Sequence, residues 1–199
     1  MLKLVERASP LAHVVRQGRF GADRGAVGVS LSVRHPASIV IIIARKDKAE
    51  AASKAIAARF GAGLPAAGKS SAGGGASFHW CGADQWYAIA DGFGEGELYR
   101  ALRETLAGLA SVSDQSHGRV IMRVAGPKAR AVLAKGTPVD VHESVFATGS
   151  SAVTQMAHVG VHLVRTGDDA FELSVFRGFS ANFWDWLTTM AEEFGYQVG

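Results

Sequence analysis

Three short stretches of this 199-residue chain place reactive side chains at spacings that chemistry uses. Gly63-Leu64-Pro65-Ala66-Ala67-Gly68-Lys69-Ser70 matches the phosphate-loop pattern letter for letter. Such a loop grips phosphate only when a strand feeds it and a helix leaves it, so that backbone N–H groups and the helix dipole converge on the anion. Here a helical pattern precedes it and Ser71-Ala72-Gly73-Gly74-Gly75 follows, a composition that will not hold a helix. His158 and His162 stand four apart, as in a helical zinc pair, but Val159-Gly160-Val161 between them is extended in character. On a strand the two imidazoles would sit about 13 Å apart, too far to share a metal. Asp114-Gln115-Ser116-His117 brings an acid, a hydroxyl and an imidazole together, yet a catalytic triad is assembled from distant segments around an oxyanion hole. The expectation there is a loop held by local side-chain-to-backbone hydrogen bonds. Gly149-Ser150-Ser151 lacks the second glycine of a nucleophile elbow, and no dinucleotide fingerprint follows a strand. These residues therefore predict a chain with no catalytic, cofactor-binding or metal-binding set of its own.

The bulk properties agree with a folded globular protein: 48% hydrophobic and 20% charged residues. A mean hydropathy of +0.12 has two readings, an extra apolar core or apolar surface covered by a partner. The net charge of +3 is scattered, so an isoelectric point near 9.2 is weak support for nucleic-acid binding. The single Cys81 cannot close an intrachain disulfide, which fits a reducing compartment. Lys3, Glu6 and Arg7 interrupt the N-terminus before an apolar signal segment forms, and the longest apolar run, 39–44, falls far short of the roughly 20 residues of a membrane span. The expectation is a cytoplasmic protein that binds neither nucleic acid nor membrane.

The elements that would position any site are legible from periodicity. Residues 1–30, rich in glycine, read as an irregular arm. Ser38–Ala44 is a β-branched strand, 48–60 an alanine-rich helix stopped by Gly61, and 61–76 a flexible Gly/Ser/Ala stretch. Strands at 77–81 and 86–90 form a hairpin through Gly82-Ala83-Asp84-Gln85. Leu98, Leu102, Leu106 and Leu109 mark an amphipathic helix. The second half repeats the plan. It has an extended stretch at 112–116, a strand at Arg119–Ala125, and a short helix opened by Gly126-Pro127 and closed at Gly136. Strand-like segments follow at 152–159, 161–165 and Ala170–Phe176, the last with one buried face and one turned outward or toward a partner. The final helix, 179–194, aligns Phe183, Leu187, Met190 and Phe194. Trp184 lies about 100° from Phe183 and has two readings, part of a wide core face or an aromatic anchor at a subunit interface. The fold class is α+β, with two small sheet-plus-helix subdomains at 31–111 and 112–199 behind the arm.

Several stretches, taken in order, resemble the gamma-subunit family of heterotetrameric sarcosine oxidases. They are Ser9-Pro10-Leu11-Ala12-His13, Trp80-Cys81-Gly82-Ala83-Asp84-Gln85-Trp86, and Val112-Ser113-Asp114-Gln115-Ser116-His117-Gly118-Arg119-Val120. Val124-Ala125-Gly126-Pro127-Lys128-Ala129-Arg130, the passage from Val132 to His142, Ala157-His158-Val159, Phe171-Glu172-Leu173 and Phe183-Trp184-Asp185-Trp186-Leu187 continue the series. That family is similar in fold to the folate-binding aminomethyltransferases of glycine cleavage, which carry a hairpin of the form N-E-x-G-G-I-x-D-D. This chain has Thr154-Gln155-Met156-Ala157-His158-Val159-Gly160-Val161-His162-Leu163 there, without the glycine pair or the acids. A related iron–sulfur maintenance family needs a cysteine after Lys-Gly, and Lys135-Gly136 is followed by Thr137.

The resemblance implies a structural gamma subunit packed with alpha, beta and delta subunits, of which alpha and beta bind FAD, FMN, NAD and tetrahydrofolate. The assembled enzyme would demethylate sarcosine oxidatively to glycine, giving formaldehyde or methylene-tetrahydrofolate and hydrogen peroxide. The alternative is an independent folate-binding aminomethyltransferase-like protein, which requires a carboxylate placed to meet the pterin or amine.

Overall fold

The structure is a computed structural model and describes residues 8–22 and 25–199. Strands β1 (Gly18–Phe20), β2 (Val29–Arg34) and β3 (Ser38–Ala44) lead into helix α1 (Ala49–Phe60). Then come β4 (Ser70–Gly73), β5 (Ala76–Gly82), β6 (Gln85–Ala90), α2 (Glu97–Thr105), β7 (Ala110–Asp114), β8 (Arg119–Ala125) and α3 (Ala129–Ala134). The remaining elements are β9 (Ser151–Met156), β10 (Val159–Gly167), β11 (Ala170–Phe176), α4 (Ser180–Ala191) and β12 (Tyr196–Val198).

The strands form two sheets, β4-β5-β6-β3-β7 and β1-β12-β2-β8-β11-β10-β9. All pairings are antiparallel except β12 with β2. On one face of the smaller sheet, Val40, Ile42, Phe78 and Ala88 pack against Ile56 and Phe60 of α1 and Leu98 and Leu102 of α2. On one face of the larger sheet, Met122, Val124, Leu163, Phe171 and Leu173 pack against Val132 and Leu133 of α3 and Phe183 and Leu187 of α4. The other two faces meet through Ile39, Tyr87, Ile89 and Ile121. Helices therefore lie outside and the sheets lie back to back, an arrangement that covers both faces of each sheet and leaves one interior layer between them.

Local chemistry explains the element ends. Gly61 takes a left-handed conformation (φ 77°) and its N–H donates to Ala57 O, closing α1 where a side chain would be strained. The β5–β6 turn places Asp84 at φ 54°, a conformation acids tolerate better than most residues.

Several expectations change. The stretch at 61–76 contains β4, because backbone pairing with β5 from Ser70↔His79 to Gly73↔Ala76 needs no apolar side chains. Ser71 Oγ donates to Gly63 O at 2.6 Å, fastening the preceding loop to that strand. Of the expected arm, residues 1–7 and 23–24 lie outside the described residues. Leu11 is fully buried in the core of the larger sheet, and β1 pairs with β12, a strand that its three-residue length kept out of sight in the sequence. The expected division between 111 and 112 falls inside β7, which pairs with β3 from Val40↔Asp114 to Ala44↔Ala110. β2, conversely, joins the larger sheet through β8 and β12. The face of β11 expected to turn outward or toward a partner lies in the inter-sheet layer: Glu172 and Ser174 are 6% and 4% exposed.

Candidate functional site

The three stretches that suggested chemistry are built for other purposes. Lys69 and Ser70 run into β4 and not into a helix, and Ser70 N donates to Gly149 O at 2.8 Å. Lys69 pairs as an isolated bridge with Ser150, so the phosphate-loop look-alike stitches one sheet to the other. His158 sits at the β9–β10 turn, where Ala157 and His158 both take positive φ, whereas His162 is buried on β10. Among the described residues no group of three His, Cys, Asp or Glu side chains could hold a metal. Asp114 Oδ1 accepts from Ser116 N (2.9 Å) and Ser116 Oγ (2.6 Å), while His117 turns to Glu95 Oε1 at 3.0 Å. The hydroxyl and the imidazole thus engage different acids. Ile39 N donates to Ser116 Oγ at 3.0 Å, which ties the turn to β3.

Polar groups collect instead between the sheets. His79 of β5 stacks on His162 of β10 with ring centroids 5.7 Å apart, and Tyr87 meets His162 edge-on at 5.1 Å. Ser151 Oγ lies 2.9 Å from His162 Nε2 and donates to Trp80 O at 2.8 Å. Burial pushes His79 down to about 4, helped by the Arg34 charge. Burial likewise pushes His162 down to about 3, helped by His79 and opposed by its bond to Trp80 O. Both rings are therefore neutral near pH 7. The Cys81 thiol is pushed up to about 12 by burial, against the pull of Arg119, which leaves it protonated and unreactive.

The one buried carboxylate among the described residues is Glu172, and both of its oxygens are engaged. Oε2 accepts from Arg34 Nη1 and Oε1 from Arg123 Nε, each at 2.9 Å, while Arg34 Nε reaches Asp91 Oδ1 at 2.7 Å. Burial would lower Arg34, but the bond to Asp91 and the charges of Glu172 and Asp91 raise it overall. This network bolts β2 and β8 to β11 and leaves no free acid for proton transfer.

At the edge of this layer a cavity of about 330 Å³ is lined by Arg34, His35, Glu95, His117, Arg119 and Arg177 among others. Arg119 is held between two rings, with its Cζ 4.6 Å from the Tyr87 centroid and 4.1 Å from that of Phe176. Sequence reasoning missed His79, Arg34, Arg119 and Glu172. Their only signal is that each is a polar residue in an apolar strand, which marks a face without naming what covers it. Trp184 keeps 4% of its surface and packs within the core of the larger sheet. It is held by its own chain, with only a corner lining a shallow cleft beside Val14, Phe20 and Tyr196.

The fold and the layer between the sheets define the class first. Over 86% of its length the chain matches about half (48%) of the glycine cleavage aminomethyltransferase T from Bartonella henselae, with a TM-score of 0.67 at 15% identity. Its fold is thus aminomethyltransferase-like. In the β9–β10 hairpin, 151–167 holds neither Asp nor Glu. Residues 45–193 match the sarcosine oxidase, gamma subunit family, and the chain belongs to it. It is similar to the sarcosine oxidase subunit gamma of an Arthrobacter species, at 32% identity over 94% of this chain and 91% of that one. It is also similar to the sarcosine oxidase subunit gamma of Corynebacterium sp. (strain U-96), at 30% identity with the same coverage. The solved heterotetrameric sarcosine oxidase from Corynebacterium sp. U-96, in complex with pyrrole 2-carboxylate, contains a chain that matches with a TM-score of 0.82 at 28% identity. That match covers 94% of this chain and 96% of that one.

Proposed function

We propose that this chain is the structural gamma subunit of a heterotetrameric sarcosine oxidase and carries none of the chemistry itself. The observation that supports this most directly is the correspondence with a chain of such an oxidase over nearly the whole of both. The interior points the same way: its histidines are neutral and sealed, its buried acid is neutralised by two arginines, and its thiol is protonated. Its partners are the alpha, beta and delta subunits, of which alpha and beta supply the flavins (FAD and FMN), NAD and tetrahydrofolate, and the assembled cytoplasmic enzyme demethylates sarcosine oxidatively to glycine. Formaldehyde or methylene-tetrahydrofolate and hydrogen peroxide are the other products. Apolar surface buried against those subunits stabilises the assembled state. Among the described residues no helix is long and apolar enough to cross a membrane.

The test is co-expression of the other subunits with and without this chain. Loss of assembly or stability in its absence supports the reading, and a stable, fully active complex lacking it refutes it. Titration of the full chain with tetrahydrofolate should give no binding, whereas saturable binding would favour an independent transferase.

A further inference from the structure

Two arginines at the mouth of the edge cavity lack the acidic partners that Arg34 and His117 have. Arg34 is bound to Asp91 and Glu172, and His117 to Glu95. Arg119 and Arg177 line the same cavity, and neither has an acid within ion-pair distance among the described residues. Strand pairing brings them together: Arg119 faces Phe176 in the last register position of β8 and β11, and Arg177 N donates to Gly118 O at 2.9 Å. The rings of Tyr87 and Phe176 lie against the Arg119 guanidinium and offer its N–H groups no acceptor. Its Nε is buried and out of reach of an incoming group, so the two terminal nitrogens are the ones that can meet an acceptor. A guanidinium fixed in this way is organised in advance for a planar acceptor, and carboxylate is the acceptor that matches its fork.

The surface around the cavity narrows the source of that carboxylate. Phe176 and Phe179 are 49% and 52% exposed, on either side of Arg177 in sequence. Exposed phenyl rings beside an unpaired arginine pair are the mixture of aromatic and Arg residues found at the centres of protein interfaces. A small acid would fill the cavity and leave both rings in water. A polypeptide with an acidic side chain flanked by apolar ones would satisfy the arginines and cover the rings at once. We infer that an acidic, apolar-flanked segment of a partner subunit of the oxidase docks here, its carboxylate between Arg119 and Arg177 and its apolar side chains on Phe176 and Phe179. This rests on the subunit role proposed above and identifies the surface that performs it.

The experiment measures binding of the full chain to the remaining subunits, purified together, at about 50 and about 200 mM salt. Arg177→Glu and Arg119→Gln should each weaken association at least about tenfold and flatten its salt dependence. Lys54→Glu, on the exposed face of α1, should behave as wild type. Arg177→Glu should melt at the wild-type temperature as a free chain, which separates lost docking from lost folding; Arg177→Ala serves if it does not. If both arginine variants bind as wild type does, the docking surface is refuted while the subunit role stands. If the wild-type chain itself fails to bind, both fall. Stabilisation of the free chain by glutarate that Arg177→Glu abolishes would assign the cavity to a small acid and overturn the inference.

Discussion

Lowering the pH from about 7.5 to about 5 asks His79 and His162 to take protons that the folded interior refuses. An imidazole with an ordinary value of 6.5 is held down to about 4 at His79, first by burial and then by Arg34, and to about 3 at His162, first by burial and then by His79. Arg119 on β8 also faces His162, while Tyr87 on β6 and Ser151 on β9 offer it no countercharge. Between these values and 6.5 the unfolded chain binds more protons than the folded one, so stability rises with pH. The contribution is complete above about pH 6.5 and is lost progressively as pH falls toward the folded values. At about pH 5 each histidine removes roughly 2 kcal/mol, and the pair about 4 kcal/mol. That is a large share of the roughly 5–15 kcal/mol that holds a domain folded. Urea unfolding followed by tryptophan fluorescence over this pH series should show the midpoint falling by about 2 M, taking a slope near 2 kcal/mol/M. His79→Phe should remove about half of that dependence. A midpoint that does not move between these pH values, or a His79→Phe chain that keeps the full slope, would refute the argument that burial holds both rings neutral.

Three further substitutions probe the packing. Trp184→Ala should cost the free chain about 3–5 kcal/mol in chemical denaturation, with subunit association unchanged under conditions where it is folded. An unchanged midpoint with lost association would support the anchor role. Glu172→Gln strips the Arg34–Arg123 pair of its shared carboxylate and should cost about 3–5 kcal/mol, read in the same way. Gly136→Ala should destabilise by about 1–3 kcal/mol in a thermal melt, because a methyl group there runs into the Trp186 ring and within 2.9 Å of Met156 Cγ.

Local pattern sufficed for much of the fold. The β-branched run at Ser38–Ala44, the leucines of α2 and the alternation of Ala170–Phe176 each report a buried face, because burial is written into side-chain polarity at the period of the element. The resemblance to the family was also carried by ordered short stretches, and the neighbours of the phosphate-loop and zinc-pair spacings already argued against both readings. What covers each face was not legible. β4 is built from Ser, Ala and Gly and exists because β5 lies beside it, and β7 joins β3 from across the chain. The face of β11 bearing Glu172 and Ser174 reads as turned outward or toward a partner until a second sheet closes over it. His79 and His162, more than eighty residues apart, acquire depressed basicity only when their strands are laid back to back. Sequence thus determined which residues prefer to leave water. Tertiary structure decided which polar groups were carried in with them, since desolvation and charge pairing depend on distance in space and not along the chain.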